Sequence, residues 1–189
     1  MVEIKNPGIV KILILIIPIL VLSYLVYVNL LASHEFNYVY DIGNSEPHLT
    51  PLERISQPLV EETTNLTYIN LQHGLVYFNV PTSPGSKNVN VKVRFKGNIE
   101  ETFRLGARNN SVEWNYQWKD FSFENTTDWQ TSEVSFDLSD KYISNNQLSM
   151  ILRTAHLLNN QSTNYISVDR IDITVYKPGI FNKENEISP

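Results

Sequence analysis

The chain has 189 residues, with 15 Lys plus Arg against 20 Asp plus Glu, a formal charge of −5, and no cysteine. Without thiols a disulfide scaffold, a Cys-ligated zinc site and a cysteine nucleophile are excluded. The acidic balance argues against a surface built to neutralise phosphate, so no nucleic-acid partner is expected, and the length suits one folded domain.

The first element is apolar. Ile12 to Ala32 is a run of 21 residues without a charge, and a helix of that length covers roughly 30 Å, the thickness of a bilayer core. A transmembrane helix is therefore expected over 12–33, after a cytoplasmic stub of 1–11. Lys5 and Lys11 precede the run while His34, Glu35 and Asp41 follow it, so the positive-inside rule places the N-terminus in the cytoplasm and the remainder outside the membrane. A cleaved signal peptide is the alternative. The run exceeds the roughly 7–15 residues of a secretory apolar region, and Leu30-Leu31-Ala32 is a poor cleavage signal, which favours an uncleaved anchor.

Residues 34–74 show no sustained period but many turn signals, among them Gly43-Asn44-Ser45, Pro47, Pro51 and Pro58. They are expected to form a membrane-proximal connector. Thr50-Pro51-Leu52-Glu53 has a capping-box pattern for one helical turn. Tyr38, Tyr40, Leu49, Leu52, Ile55 and Leu59 are too apolar for a solvated linker, so the connector should pack onto the domain.

From Leu75 the period changes to two. Strands are predicted at Leu75–Val80, Val89–Phe95, Phe103–Leu105, Trp114–Trp118, Val134–Leu138 and Leu148–Leu152. A long last strand follows over 166–175, where a change of parity at Asp169-Arg170 predicts a β-bulge. Seven strands without an amphipathic helix among them exclude a βαβ plan and fit an all-β antiparallel sandwich over 75–177. The polar end, 178–189, should be a flexible tail.

Asp128-Trp129-Gln130 with Val134 to Leu138, then Leu148 to Arg153, then Ile166 to Val175, resembles galactose-binding-like and carbohydrate-binding-module jelly rolls over about the last hundred residues. The connector, with Leu49-Thr50-Pro51, Arg54-Ile55-Ser56 and Leu75 to Phe78, is similar to that of membrane-anchored prokaryotic surface proteins. The resemblance implies a jelly roll and no particular binding site.

Trp114, Tyr116 and Trp118 alternate along one predicted strand. Such rings can stack on sugars, with Glu113, Asn115 and Gln117 bonding hydroxyls, or they can be the core face of the sandwich. The core orientation is favoured, since Glu113, Asn115, Gln117 and Lys119 supply a solvated opposite face. Trp129 is read as either a loop platform or a core plug. Ligand-binding candidates are thus Trp114, Tyr116, Trp118 and Trp129. Asn65, Asn109, Asn125 and Asn160 open Asn-x-Ser/Thr sequons, which, if glycosylated, would mark exposed loops.

His34, His48, His73 and His156 have no ligand spacing. Asp137, Asp140, Glu124 and Asp128 are oxygen donors of the kind that hold structural calcium in sandwich loops. No motif demands the ion, so no cofactor is expected. Catalytic motifs are missing as well. The expected function is a non-enzymatic, membrane-anchored β-sandwich module outside the cell, adhesive or in contact with a cell-surface glycan. The alternative is a structural subunit of an envelope or filament assembly, binding an envelope protein.

Overall fold

The structure is a computed structural model that describes residues 7–28, 32–42, 44–45, 59–71, 75–97, 103–109, 115–122, 124, 126–139, 142–154 and 166–179. Two units emerge, one containing the N-terminal helix and the other spanning Glu35–Lys177.

Pro7 opens helix α1 (Pro7–Val26), where the first turn has no use for its missing N–H. Pro18 lies inside the helix and leaves the Ile14 carbonyl without its usual partner. Beyond the helix the Ala32 N–H donates to the Tyr27 carbonyl at 2.9 Å, a π-type closure five residues wide. Apolar side chains lie all around α1 and are exposed, from 42% at Val26 to 67% at Leu15. Among the described residues no helix is long and apolar enough to cross a membrane.

The second unit is all-β. Its strands are β1 (His34–Asp41), β2 (Asn44–Ser45), β3 (Leu59–Val60), β4 (Thr67–Asn70), β5 (Leu75–Pro81) and β6 (Asn88–Gly97). They continue with β7 (Phe103–Arg108), β8 (Tyr116–Asp120), β9 (Thr126–Asp137), β10 (Ile143–Ser144), β11 (Gln147–Thr154) and β12 (Ile166–Lys177). The larger sheet holds β1–β4, β6, β9 and β12; the smaller holds β5, β7, β8, β10 and β11. Each pairing with a defined register is antiparallel. From β4 onward the chain keeps switching sheets: β4 to β5, back to β6, across to β7 and β8, back to β9, across to β10 and β11, and finally to β12. That winding is a jelly roll.

Every second side chain of each long strand enters the space between the sheets, because successive strand residues point to opposite faces. Val89, Val91, Val93 and Phe95 of β6 meet Ile171, Ile173 and Val175 of β12 across one sheet. They face Val76, Phe78 and Val80 of β5, Leu105 of β7 and Leu148, Met150 and Leu152 of β11 in one continuous core. The bulge falls between Val168 and Arg170, where the parity change required it. It lets both Val168 and Ile171 face inward, at 0% and 1% exposure. Asn145 and Asn146 take φ of 52° and 59° between β10 and β11. Two left-handed residues in succession make the tight hairpin turn that matches strand twist, and Asn tolerates that conformation.

Within 34–74, where the sequence shows no sustained period, the described residues include the strands β1, β2, β3 and β4. β1 and β4 both pair with β12, and Tyr40, Ile69 and Leu71 are buried. The signal lay in Phe36, Tyr38 and Tyr40, whose period of two buries them progressively. Leu59 is exposed rather than packed. Leu49, Leu52, Ile55 and the capping-box residues 50–53 lie outside the described residues, as does the tail beyond Gly179.

Candidate binding face of the smaller sheet

Phe103, Leu105 and Ala107 of β7 belong to the core, so Arg104, Gly106 and Arg108 point to the outer face of the smaller sheet. The same alternation on β11 sends Leu148, Met150 and Leu152 inward and Ser149, Ile151 and Arg153 outward. On β5, Val76, Phe78 and Val80 are inside, and Tyr77 and Asn79 outside.

Strand β8 is placed by its register. Asp120 lies opposite Arg104, Trp118 opposite Gly106 and Tyr116 opposite Arg108. Directly opposed residues share a face, which puts Tyr116 and Trp118 on the outside, half-buried and apart from the core. The favoured inward orientation is thereby corrected, and the polarity of the strand is inverted. Gln117, opposite Ala107, and Lys119, opposite Leu105, occupy the inward side. Because β8 pairs only with β7 among the described residues, it is an edge strand whose inner flank lies at the rim. Lys119 is exposed there. The Gln117 side-chain oxygen is buried with no partner among the described residues.

Gly106 makes room for the tryptophan. A Cβ at this position would stand 2.9 Å from Ile151 Cγ2, 2.9 Å from Trp118 Cζ3 and 3.0 Å from Trp118 Cε3, so the indole folds over the glycine and meets Ile151. This explains why Ile151 is only 2% exposed although it stands outside the core. One transverse row of the sheet therefore reads Tyr77, Ile151, Gly106, Trp118.

The neighbouring rows are polar. Tyr116 stacks beside Trp118 with centroids 5.4 Å apart. Burial first, and then Tyr77, raise the Tyr116 phenol above its ordinary range, against a smaller opposite pull from Arg108, which keeps its hydroxyl a donor. Ser149 Oγ donates to Asn79 Oδ1 at 2.8 Å. The guanidiniums of Arg104 and Arg153 lie 5.9 Å and 5.8 Å from the Trp118 ring centroid, close enough for cation–π attraction. Arg104 Nε also donates to Asp120 Oδ1 at 2.9 Å. Rings, amide, hydroxyls and guanidiniums thus share one half-exposed surface, a composition suited to stacking on a flat ligand and bonding its polar rim.

The larger sheet is different on its outer side, where polar groups satisfy one another. Asn90 bonds Glu133 at 2.6 Å and Asn88 bonds Asp137 at 3.2 Å. Trp129 belongs to this sheet, on β9, and is neither a loop platform nor a core plug. Its Nε1 donates to Glu61 at 3.3 Å, its ring meets Tyr68 edge-on at 6.0 Å, and Lys96 Nζ lies over it at 4.8 Å. Lys96 also bonds Glu61. That bond first, and then those from Thr64 and Trp129, lower the Glu61 carboxyl to about 2. The cluster is self-satisfied, and Trp129 is separate from the Trp118 face.

Trp114, Asn125 and Asn160 lie outside the described residues. Asn65 is exposed in the turn between β3 and β4, with φ of 55°. Asn109 departs from the exposed-loop expectation, at 8% exposure, because its N–H continues the β7–β8 ladder to the Asn115 carbonyl at 2.7 Å. Of the calcium candidates, Asp137 bonds Asn88, Glu124 and Asp128 are exposed, and Asp140 is outside the described residues. Among the described residues no three metal-ligating side chains gather.

No family model matches the chain, and no curated protein matches it. Similar solved structures are carbohydrate-binding modules. The CBM22-1 xylan-binding domain of Paenibacillus barcinonensis Xyn10C is 8% identical, covering 79% of this chain and 99% of that one, with a TM-score of 0.49. The CBM22-2 domain of the same protein is 14% identical over 73% and 98%, with a TM-score of 0.48. A family 35 carbohydrate-binding module from Clostridium thermocellum is 12% identical over 73% and 97%, with a TM-score of 0.44.

Sequence reasoning named Tyr116 and Trp118 and missed Tyr77, Arg104, Arg108, Ile151 and Arg153, which stand with them. A signal existed for Tyr77, Arg104 and Ile151, each of which sits between two apolar residues of its strand, whereas Arg108 and Arg153 have an apolar neighbour on one side only.

Proposed function

We propose that this chain is a non-catalytic glycan-binding module held at a membrane by α1, with the sandwich on the extracytoplasmic side. The observation that carries the binding role is the Trp118 ring laid over Gly106 beside Tyr116, on a sheet face turned away from the core. A ring held flat against a sheet costs little further ordering when a sugar stacks on it. Asp120 is the one carboxylate among the described residues of this face, and Arg104 holds it. Paired acids for glycoside hydrolysis are therefore missing there, and binding without turnover is the supported role.

The test is retention of the full chain, in detergent, on xylan, β-1,4-glucan, mannan and polygalacturonate. Trp118→Ala is expected to weaken retention by about tenfold or more, as loss of a stacking ring does. The variant should remain folded with a melting temperature lowered much less than by a core truncation, because removing the ring uncovers Ile151 but leaves no closed cavity. Failure of the parent chain to bind any of the four, with co-purification in a defined envelope complex, would replace this function with the structural one.

The anchor is supported by the exposed apolar surface all around α1, which water solvates poorly and lipid well. The orientation is supported by Lys5 and Lys11 on one side and Glu35 and Asp41 on the other. In intact cells added protease should remove a C-terminal tag while an N-terminal tag stays protected in the membrane fraction. Release of a soluble product starting near His34 would show cleavage instead.

A further inference from the structure

The binding face carries a charge pattern at odds with the rest of the molecule. The chain is acidic at −5, yet Arg104, Arg108 and Arg153 project from this face against Asp120. Asp120 engages Arg104. Arg108 and Arg153 are exposed and have no carboxylate partner among the described residues. On the larger sheet the arginines are matched, Arg94 with Asp169 and Arg170 with Asp172.

The placement of two of these cations is unfavourable in the unliganded protein. Arg104 and Arg153 are register partners on β7 and β11, and like charges directly opposed across an antiparallel pair destabilise it. Both guanidiniums are also drawn to the same Trp118 ring. Local conflict of this kind is expected where a ligand resolves it. An anion between the two forks would relieve the repulsion and accept charge-assisted hydrogen bonds, for which the planar guanidinium suits carboxylate or sulfate better than an ammonium does.

Resting on the glycan-binding reading, we propose that the ligand is an acidic polysaccharide, one sugar ring stacking on Trp118 while its carboxylate or sulfate ester bridges Arg104 and Arg153. Arg108, opposite Tyr116, extends the positive track to a neighbouring residue of the polymer.

The experiment compares the full chain's affinity for polygalacturonate and for fully methyl-esterified polygalacturonate, which has the same backbone with each carboxylate charge removed by a methyl ester. The acid should bind at least about tenfold tighter, and rising salt should weaken the acid alone. Arg153→Gln should erase most of that preference, whereas Arg170→Gln, on the opposite sheet, should preserve it. Binding of dextran sulfate but not polygalacturonate would support the proposal with sulfate as the anion. Equal binding of acid and ester, unmoved by Arg153→Gln, would overturn the anionic ligand and leave the glycan reading standing. Failure of both polymers and of dextran sulfate would overturn the proposal, and failure of neutral xylan, β-1,4-glucan and mannan as well would bring down the glycan reading with it. Single-stranded DNA held as tightly as polygalacturonate would overturn it in favour of a nucleic-acid ligand.

Discussion

Arg94→Ala should lose about 2–3 kcal/mol of stability, below the range of about 3–5 for breaking a fully buried ion pair, because the Arg94 side chain is itself 38% exposed and water screens the pair. Asp169 sits in the β12 bulge with its side chain 3% exposed. Arg94 Nε donates to both carboxylate oxygens at 2.9 Å, and its NH2 group makes a further bond. Hydrogen bonding to Asp169 first raises the Arg94 guanidinium above its ordinary range, aided by the charges of Asp169, Asp41 and Asp172 against the effect of burial. Removing the guanidinium leaves a largely buried carboxylate without its counter-charge and only partly reached by water, in a domain of a size whose total stability is about 5–15 kcal/mol. Arg94→Lys should recover only part of the loss, since an ammonium cannot reproduce the fork. Thermal unfolding of the variants measures this, and an Arg94→Ala melt superimposable on the parent would show that the pair contributes nothing.

A larger loss, about 3–5 kcal/mol, is expected for Phe103→Ala. Phe103 is fully buried and joins the two sheets, its ring 4.9 Å from Phe95 of the larger sheet and 4.8 Å from Phe121 at the end of β8. Alanine would leave a cavity between layers that cannot close without moving whole strands. Phe103→Leu should cost under about 1.5 kcal/mol, since it roughly conserves volume. Denaturant unfolding distinguishes these variants. Phe103 lies beside Arg104 in sequence, yet truncating it should unfold the protein, whereas truncating Trp118 should leave it folded. If both variants melted alike, the assignment of β8 to the outer face would be wrong.

The strands of 75–177 were legible because burial imposes a period of two wherever one face is apolar and the other polar. β6 shows this in Val89, Val91, Val93 and Phe95, and the bulge in β12 was visible as a broken parity. β8 misled for the opposite reason. Its aromatic residues face outward and its Gln117 and Lys119 face inward at a rim, so the usual equation of rings with core fails on an edge strand whose inner flank lies beside solvent. The arginines escaped because each is one polar residue in an alternating strand, indistinguishable from a solubilising side chain until the register of β7 and β11 sets two of them opposite each other.

The last strand in sequence is also a central one. β12 joins β6 and β9 on one flank to β1 and β4 on the other, and Thr174 reaches back across 137 residues to bond Asn37. Until β12 is in place, the larger sheet exists only as three separate pieces, β1–β2, β3–β4 and β6–β9, with unpaired edges. Assembly by such distant contacts is slow, because a long loop must close before any pairing compensates for it. A chain emerging from a ribosome or a translocation channel must therefore keep β1, β4 and the β6–β9 pair apart from one another until residue 177 is clear, and any premature stop before β12 leaves adhesive edges rather than a smaller stable domain.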